Sequence, residues 1–104
     1  MYGTLYRLRP GPGQEQAVLD HLFRWEQEYL PGVSGYVGGY LFQPTSEPGE
    51  LIGILIFESP ARYRSHRGHP AQAEWEQHLL DLLAQAPTWD EGEFMELTAE
   101  LRGL

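Results

Sequence analysis

The sequence predicts an α+β domain in which a four-stranded antiparallel sheet carries its helices on one face. Three observations predict it. Segments of period two and segments of period 3.6 alternate in the order strand, helix, strand, strand, helix, strand. The two central strand-like runs are joined by Gln43–Glu50 alone, a connection too short for a crossover helix, so they pair as an antiparallel hairpin. A chain of 104 residues with 41% hydrophobic and 12% aromatic side chains is large enough to bury one core and too small for two.

Each element has its own reason. Tyr2 to Arg9 places Tyr2, Thr4, Tyr6 and Leu8 on one face and Leu5, Arg7 and Arg9 on the other, and Pro10-Gly-Pro-Gly13 stops it. From Gln14 to Leu30, Val18, Leu19, Leu22, Phe23, Trp25, Tyr29 and Leu30 recur at helical spacing with Glu15, Asp20, Arg24, Gln27 and Glu28 opposite, and Pro31-Gly32 ends the helix. Val33–Phe42 and Leu51–Glu58 are the hairpin strands. Ser59-Pro60 opens a second helix, broken at Gly68-His69-Pro70 and resumed through Trp75, Leu79, Leu82, Leu83 and Ala86 until Pro87. Gly92 to Thr98 is the expected last strand.

This order is the split βαβ arrangement, a ferredoxin-like fold, as one domain over residues 1–104. The run Leu51-Ile-Gly-Ile-Leu-Ile-Phe57 is apolar on both faces, so the sheet face away from the helices also needs a cover. A second copy related by two-fold symmetry supplies one, which makes a homodimer the expected assembly.

Composition removes several classes of function. Fifteen acids against seven bases, every base an arginine, give a formal charge of -8, and neither nucleic acid nor an anionic membrane is an expected partner of such a surface. No apolar run is long enough to span a bilayer, and the N-terminus already reads as a strand, so a cytoplasmic protein is expected. The absence of cysteine excludes disulfides, thiolate metal sites and cysteine nucleophiles. Gly11 and Gly13 between prolines do not form a phosphate loop, and there is no Gly-x-Ser-x-Gly motif. His66 and His69 are three apart, but Pro70 breaks the helix before His78 and no carboxylate completes a ligand set, so no metal is expected.

Leu30-Pro-Gly32, the junction Phe57-Glu-Ser-Pro-Ala-Arg-Tyr-Arg-Ser-His66 and the segment His69-Pro-Ala-Gln-Ala-Glu-Trp75 resemble the antibiotic-biosynthesis-monooxygenase-like proteins of the dimeric α/β barrel superfamily. The resemblance implies a homodimeric α/β barrel and a cofactor-free, monooxygenase-like action on a small hydrophobic or aromatic metabolite, with a non-catalytic binding or dimerisation module as the alternative. It also implies that His66 is a candidate base, with Tyr6 and Tyr40 as orienting hydroxyl donors and Phe57, Arg64, Trp75 and His78 as candidate substrate contacts. A cleft lined by Tyr6, Tyr36, Tyr40, Trp25, Tyr29 and Trp75 would suit a flat ligand, although Trp25 and Trp75 also read as ordinary core, and His78 as a histidine at the core edge. Haem-degrading relatives carry an asparagine, a tryptophan and a histidine where this chain has Tyr6 or a neighbour, Phe57 and Trp75, so haem degradation of that kind, and a haem cofactor, are not expected.

Overall fold

The computed structural model describes residues 1–97. Strands β1 (Tyr2–Leu8), β2 (Tyr36–Phe42), β3 (Leu51–Phe57) and β4 (Thr88–Glu93) form one antiparallel sheet in the order β2-β3-β1-β4. β1 and β2 run the same way with β3 between them, the split βαβ arrangement expected from the element order. Helices α1 (Glu15–Glu28), α2 (Pro60–Arg67) and α3 (Pro70–Leu80) lie over one face.

Alternation along the strands decides what the core receives. On β3, Leu51, Leu55 and Phe57 are buried together with Thr4, Tyr6 and Leu8 of β1, against Val18, Leu22 and Trp25 of α1, Tyr63 of α2 and Leu79 of α3. The opposite side of β3 presents Ile52, Ile54 and Ile56, only partly covered, next to the exposed Tyr40 and Phe42 of β2. The sheet therefore has an apolar outer face that no helix reaches.

The helix break occurs where Gly68-His69-Pro70 places it, and both halves are capped. Ser59 Oγ accepts from the Arg62 amide at the start of α2, and His69 Nδ1 accepts from the Ala71 amide at the start of α3, each with a proline in the first turn. At Gly35 the backbone takes a φ of +85°, and a Cβ there would meet the Arg62 side chain, so glycine is required for β2 to enter the sheet beside α2.

Three boundaries differ from the sequence expectation. β2 begins at Tyr36, not Val33, because Leu30–Gly32 winds into a short 3₁₀ turn after α1. The last helix ends at Leu80, not Ala86: the Gly11 amide donates to the Leu82 carbonyl and the Ala84 amide to the Arg9 carbonyl, so this backbone is paired with the end of β1 instead. β4 is Thr88–Glu93, earlier than Gly92–Thr98, because Trp89 opposite Tyr6 anchors that register; Thr98 lies outside the described residues.

Candidate functional site

Tyr6 leaves β1 beneath the helices, with Gly53 of β3 on one side and Trp89 of β4 on the other. A Cβ at residue 53 would collide with the Tyr6 ring, so the glycine is what lets the phenol lie across β3. Trp89 packs on Tyr6 with ring centroids 5.0 Å apart, and the Arg67 guanidinium sits 4.8 Å from the Trp89 ring. The phenol is fixed by three elements.

Helix α1 forms the roof. Leu22, Glu26 and Leu30 recur every four residues and Trp25 follows Leu22 by three, which puts them on one side of the helix and its continuation. Trp25 is buried, and its Nε1 donates to Gln72 Oε1 of α3 at 2.9 Å, a bond that fixes the indole plane. Between α1 and β2, where Gly39 supplies no side chain, a cavity of about 330 Å³ remains, within the range of small-ligand sites.

Among the described residues, the polar side chains of this cavity are the phenols of Tyr6, Tyr36 and Tyr40, the carboxylate of Glu26 and the indole of Trp25, whose N–H is already bonded to Gln72. The Tyr36 hydroxyl donates to Glu26 Oε1 at 3.4 Å, and the Tyr36 ring is held edge-on to Phe57 at 5.6 Å. Burial, and then the negative charge of Glu26, push Tyr36 up to about 12. Burial raises Tyr6 further, with Tyr36 as the second cause. Both hydroxyls therefore stay protonated donors at neutral pH.

His66 lies elsewhere. It is 2% exposed, with Phe57 at 4.9 Å, Trp25 at 6.3 Å and Tyr29 and Tyr63 at 6.4 Å between ring centroids. Neither ring nitrogen has a hydrogen-bond partner among the described residues. Burial, followed by the charges of Arg67 and His69, pulls its pKa down to about 4, so the imidazole is neutral at pH 7. The hollow beside it, about 360 Å³, is shared with Tyr29, Ser34, Ser65 and His69 and is separate from the tyrosine cavity.

Of the seven residues picked out from the sequence, two line the tyrosine cavity, Tyr6 in the wall and Tyr40 at the rim, while His66 packs on Phe57 and Trp75 lies beside His78. Tyr40 is 69% exposed because a bulge between Tyr36 and Gly38 turns it to the outer face, opposite Ile54. Phe57 is fully buried core, and Arg64 is exposed with its guanidinium 5.9 Å from the Tyr2 ring. Trp75 and His78 line an outer hollow with His21, whose Nε2 is hydrogen-bonded to the Trp75 carbonyl at 2.9 Å. Among the cleft aromatics expected from the sequence, Trp25 and Tyr36 do line the cavity, whereas Tyr29 and Trp75 do not. Sequence reasoning missed Glu26, Leu22 and Leu30 as wall residues, although the 22–26–30 spacing was a signal that could have found them. No group of three or more metal-ligating side chains occurs among the described residues, and none of their helices is long and apolar enough to cross a membrane.

The chain is similar to known proteins in two respects. A family model described as antibiotic biosynthesis monooxygenase matches residues 1–86. Solved structures share its fold at low identity. A variant of SnoaB, a cofactor-independent oxygenase from Streptomyces nogalater, aligns with a TM-score of 0.82 at 11% identity over 95% of this chain and 97% of that one. Rv0793 from Mycobacterium tuberculosis aligns with a TM-score of 0.78 at 18% identity over 93% and 98%. A protein of unknown function from Nitrosomonas europaea aligns with a TM-score of 0.76 at 21% identity over 93% and 91%. No curated protein matches the chain.

Proposed function

Because the chain belongs to the antibiotic biosynthesis monooxygenase family, we propose that it is a cofactor-independent, monooxygenase-like protein acting on a small, flat, hydrophobic aromatic metabolite in the cavity between α1 and β2. The observation that carries this reading is the cavity itself: about 330 Å³, with Trp25, Leu22, Leu30 and Leu55 as apolar wall and protonated phenols at its edge. Oxygen chemistry without a cofactor needs a substrate that supplies the electrons from its own carbanion or phenolate. An activated aromatic methylene that becomes a carbonyl takes one atom of O₂, and its two hydrogens leave with the other atom as water. In this reading Tyr6, in the cavity wall, donates a hydrogen bond to the oxygen on which charge builds, with Tyr40 at the rim.

His66 takes a positioning role in this reading. It backs Trp25 instead of lining the cavity, and its nitrogens are sealed from solvent. The second reading is a non-catalytic ligand-binding module, favoured by the fact that no histidine among the described residues lines the cavity. A panel of quinols and polyphenols, followed by oxygen uptake and by thermal-shift binding, separates the two. For the enzyme, uptake with at least one compound is expected to fall about 10²-fold in Tyr6→Phe and to stay within about threefold in His66→Gln. Stabilisation of the protein by ligands with no oxygen uptake for any of them would establish the binding module. A fall of about 10²-fold in His66→Gln would return His66 to the role of base.

We also propose a homodimer closed through the outer sheet face, supported by Ile52, Ile54 and Ile56 beside the exposed Tyr40 and Phe42. Two such faces are expected to bury at least about 1,500 Å² in total, the size of a stable interface. Light scattering at micromolar concentration should give twice the chain mass for the wild type and the chain mass for Ile56→Glu. A monomeric wild type would refute the assembly.

A further inference from the structure

We propose that Glu26 determines which ligands the cavity between α1 and β2 admits: uncharged, hydroxyl-bearing aromatics are accepted and aromatic carboxylates are turned away. The inference rests on reading that cavity as the ligand site.

Glu26 stands four residues from both Leu22 and Leu30, in line with side chains that otherwise give the cavity an apolar wall. Among the described residues it is the one carboxylate in the wall, and no ion pair engages it. Tyr36 holds it in place, since its hydroxyl donates to Glu26 Oε1 at 3.4 Å and its ring is fixed against Phe57. A carboxylate has about four acceptor positions, so accepting from Tyr36 leaves capacity for a ligand.

The consequence follows from charge. A ligand hydroxyl donating to Glu26 makes a charge-assisted hydrogen bond, stronger than a neutral one. A ligand carboxylate meets a like charge in a wall that carries no arginine or histidine among the described residues, on a protein of formal charge -8. Glu26 is itself exposed at the mouth, so water screens the repulsion and the discrimination is about five- to tenfold, not orders of magnitude.

The test is calorimetric titration of the whole chain at low salt with 2-naphthol and 6-hydroxy-2-naphthoate, which share a ring frame and a hydroxyl and differ by one carboxylate. Wild type is expected to prefer the naphthol by about five- to tenfold, and that preference should shrink in about 0.5 M salt. Glu26→Gln, which removes an exposed charge and leaves the fold intact, should bring the two affinities within about twofold, mainly by tightening the carboxylate. An unchanged ratio in Glu26→Gln with the naphthol still bound would overturn the role of Glu26 and leave the cavity as the ligand site. Failure of both compounds to bind both proteins would overturn the cavity reading and this inference with it.

Discussion

Lowering the pH from 7 to 4 is expected to remove about 3 kcal/mol of folding stability through His66 alone, since a tenfold difference in proton affinity between the folded and unfolded chain is worth about 1.4 kcal/mol. The folded-state pKa of about 4 lies below the ordinary histidine value of 6.5. Between those values the unfolded chain binds a proton that the folded chain refuses. The stability gained from a neutral His66 is therefore complete above pH 6.5, declines as the pH falls, and is gone below about 4. The geometry explains the size: four aromatic rings surround an imidazole with no hydrogen-bond partner on either nitrogen among the described residues, so the cation would be poorly solvated. His66→Phe keeps a ring of similar shape and removes two unpaired polar atoms, so it should be at least as stable as wild type at pH 7. Urea unfolding of both proteins at several pH values between 7 and 4 measures the difference, which cancels the contribution of the carboxylates. Parallel stability curves would show that His66 is solvated in the folded state.

The fold was legible because its strongest signals are local. The hairpin followed from the short Gln43–Glu50 connection, and the helix break from Gly68-His69-Pro70, both features that backbone chemistry enforces wherever they occur. The existence of a last strand was legible, but its bounds were not. Thr88-Trp-Asp-Glu-Gly-Glu93 offers one large apolar side chain, and Trp89 earns its place only by packing on Tyr6, which is remote in sequence. The more apolar stretch after it misleads, since Met95 and Leu97 are exposed. The end of α3 fails for a related reason: residues 82–84 continue a helical pattern, but their backbone is paired with residues 9–11.

The site was legible where strand alternation holds and illegible where it is interrupted. Tyr6 follows from the period of β1. Tyr36 and Tyr40, four apart, belong on one face of an unbroken strand, yet the extra residue between Tyr36 and Gly38 sends one to the core and the other outward. No composition signal marks that bulge. Glu26 escaped notice because an acid in an amphipathic helix reads as solvent-facing, and its position becomes informative only once Gly39 opposite it is known to leave a space. His66 was identified as a chemically able group, and the structure sets it in the hollow beside Ser34 and Ser65, apart from the tyrosine cavity.

Trp25 joins these parts, and its removal should have the largest effect on folding. The indole lines the tyrosine cavity, packs toward His66 and donates to Gln72 Oε1, so it separates the ligand space from the histidine and ties α1 to α3. Trp25→Ala is expected to destabilise the protein by about 3–5 kcal/mol through lost burial and the cavity left behind. Trp25→Phe retains most of the packing but leaves the Gln72 carbonyl oxygen buried without a donor, a loss of about 1–3 kcal/mol. If that orphaned oxygen is the cause, Gln72→Leu combined with Trp25→Phe should recover part of the loss, because both polar partners are then gone. Urea unfolding at pH 7 reads all three variants. Equal stabilities for Trp25→Phe and the double variant would assign the loss to ring volume, and a loss below about 1 kcal/mol in Trp25→Ala would show that α1 is not held by this residue.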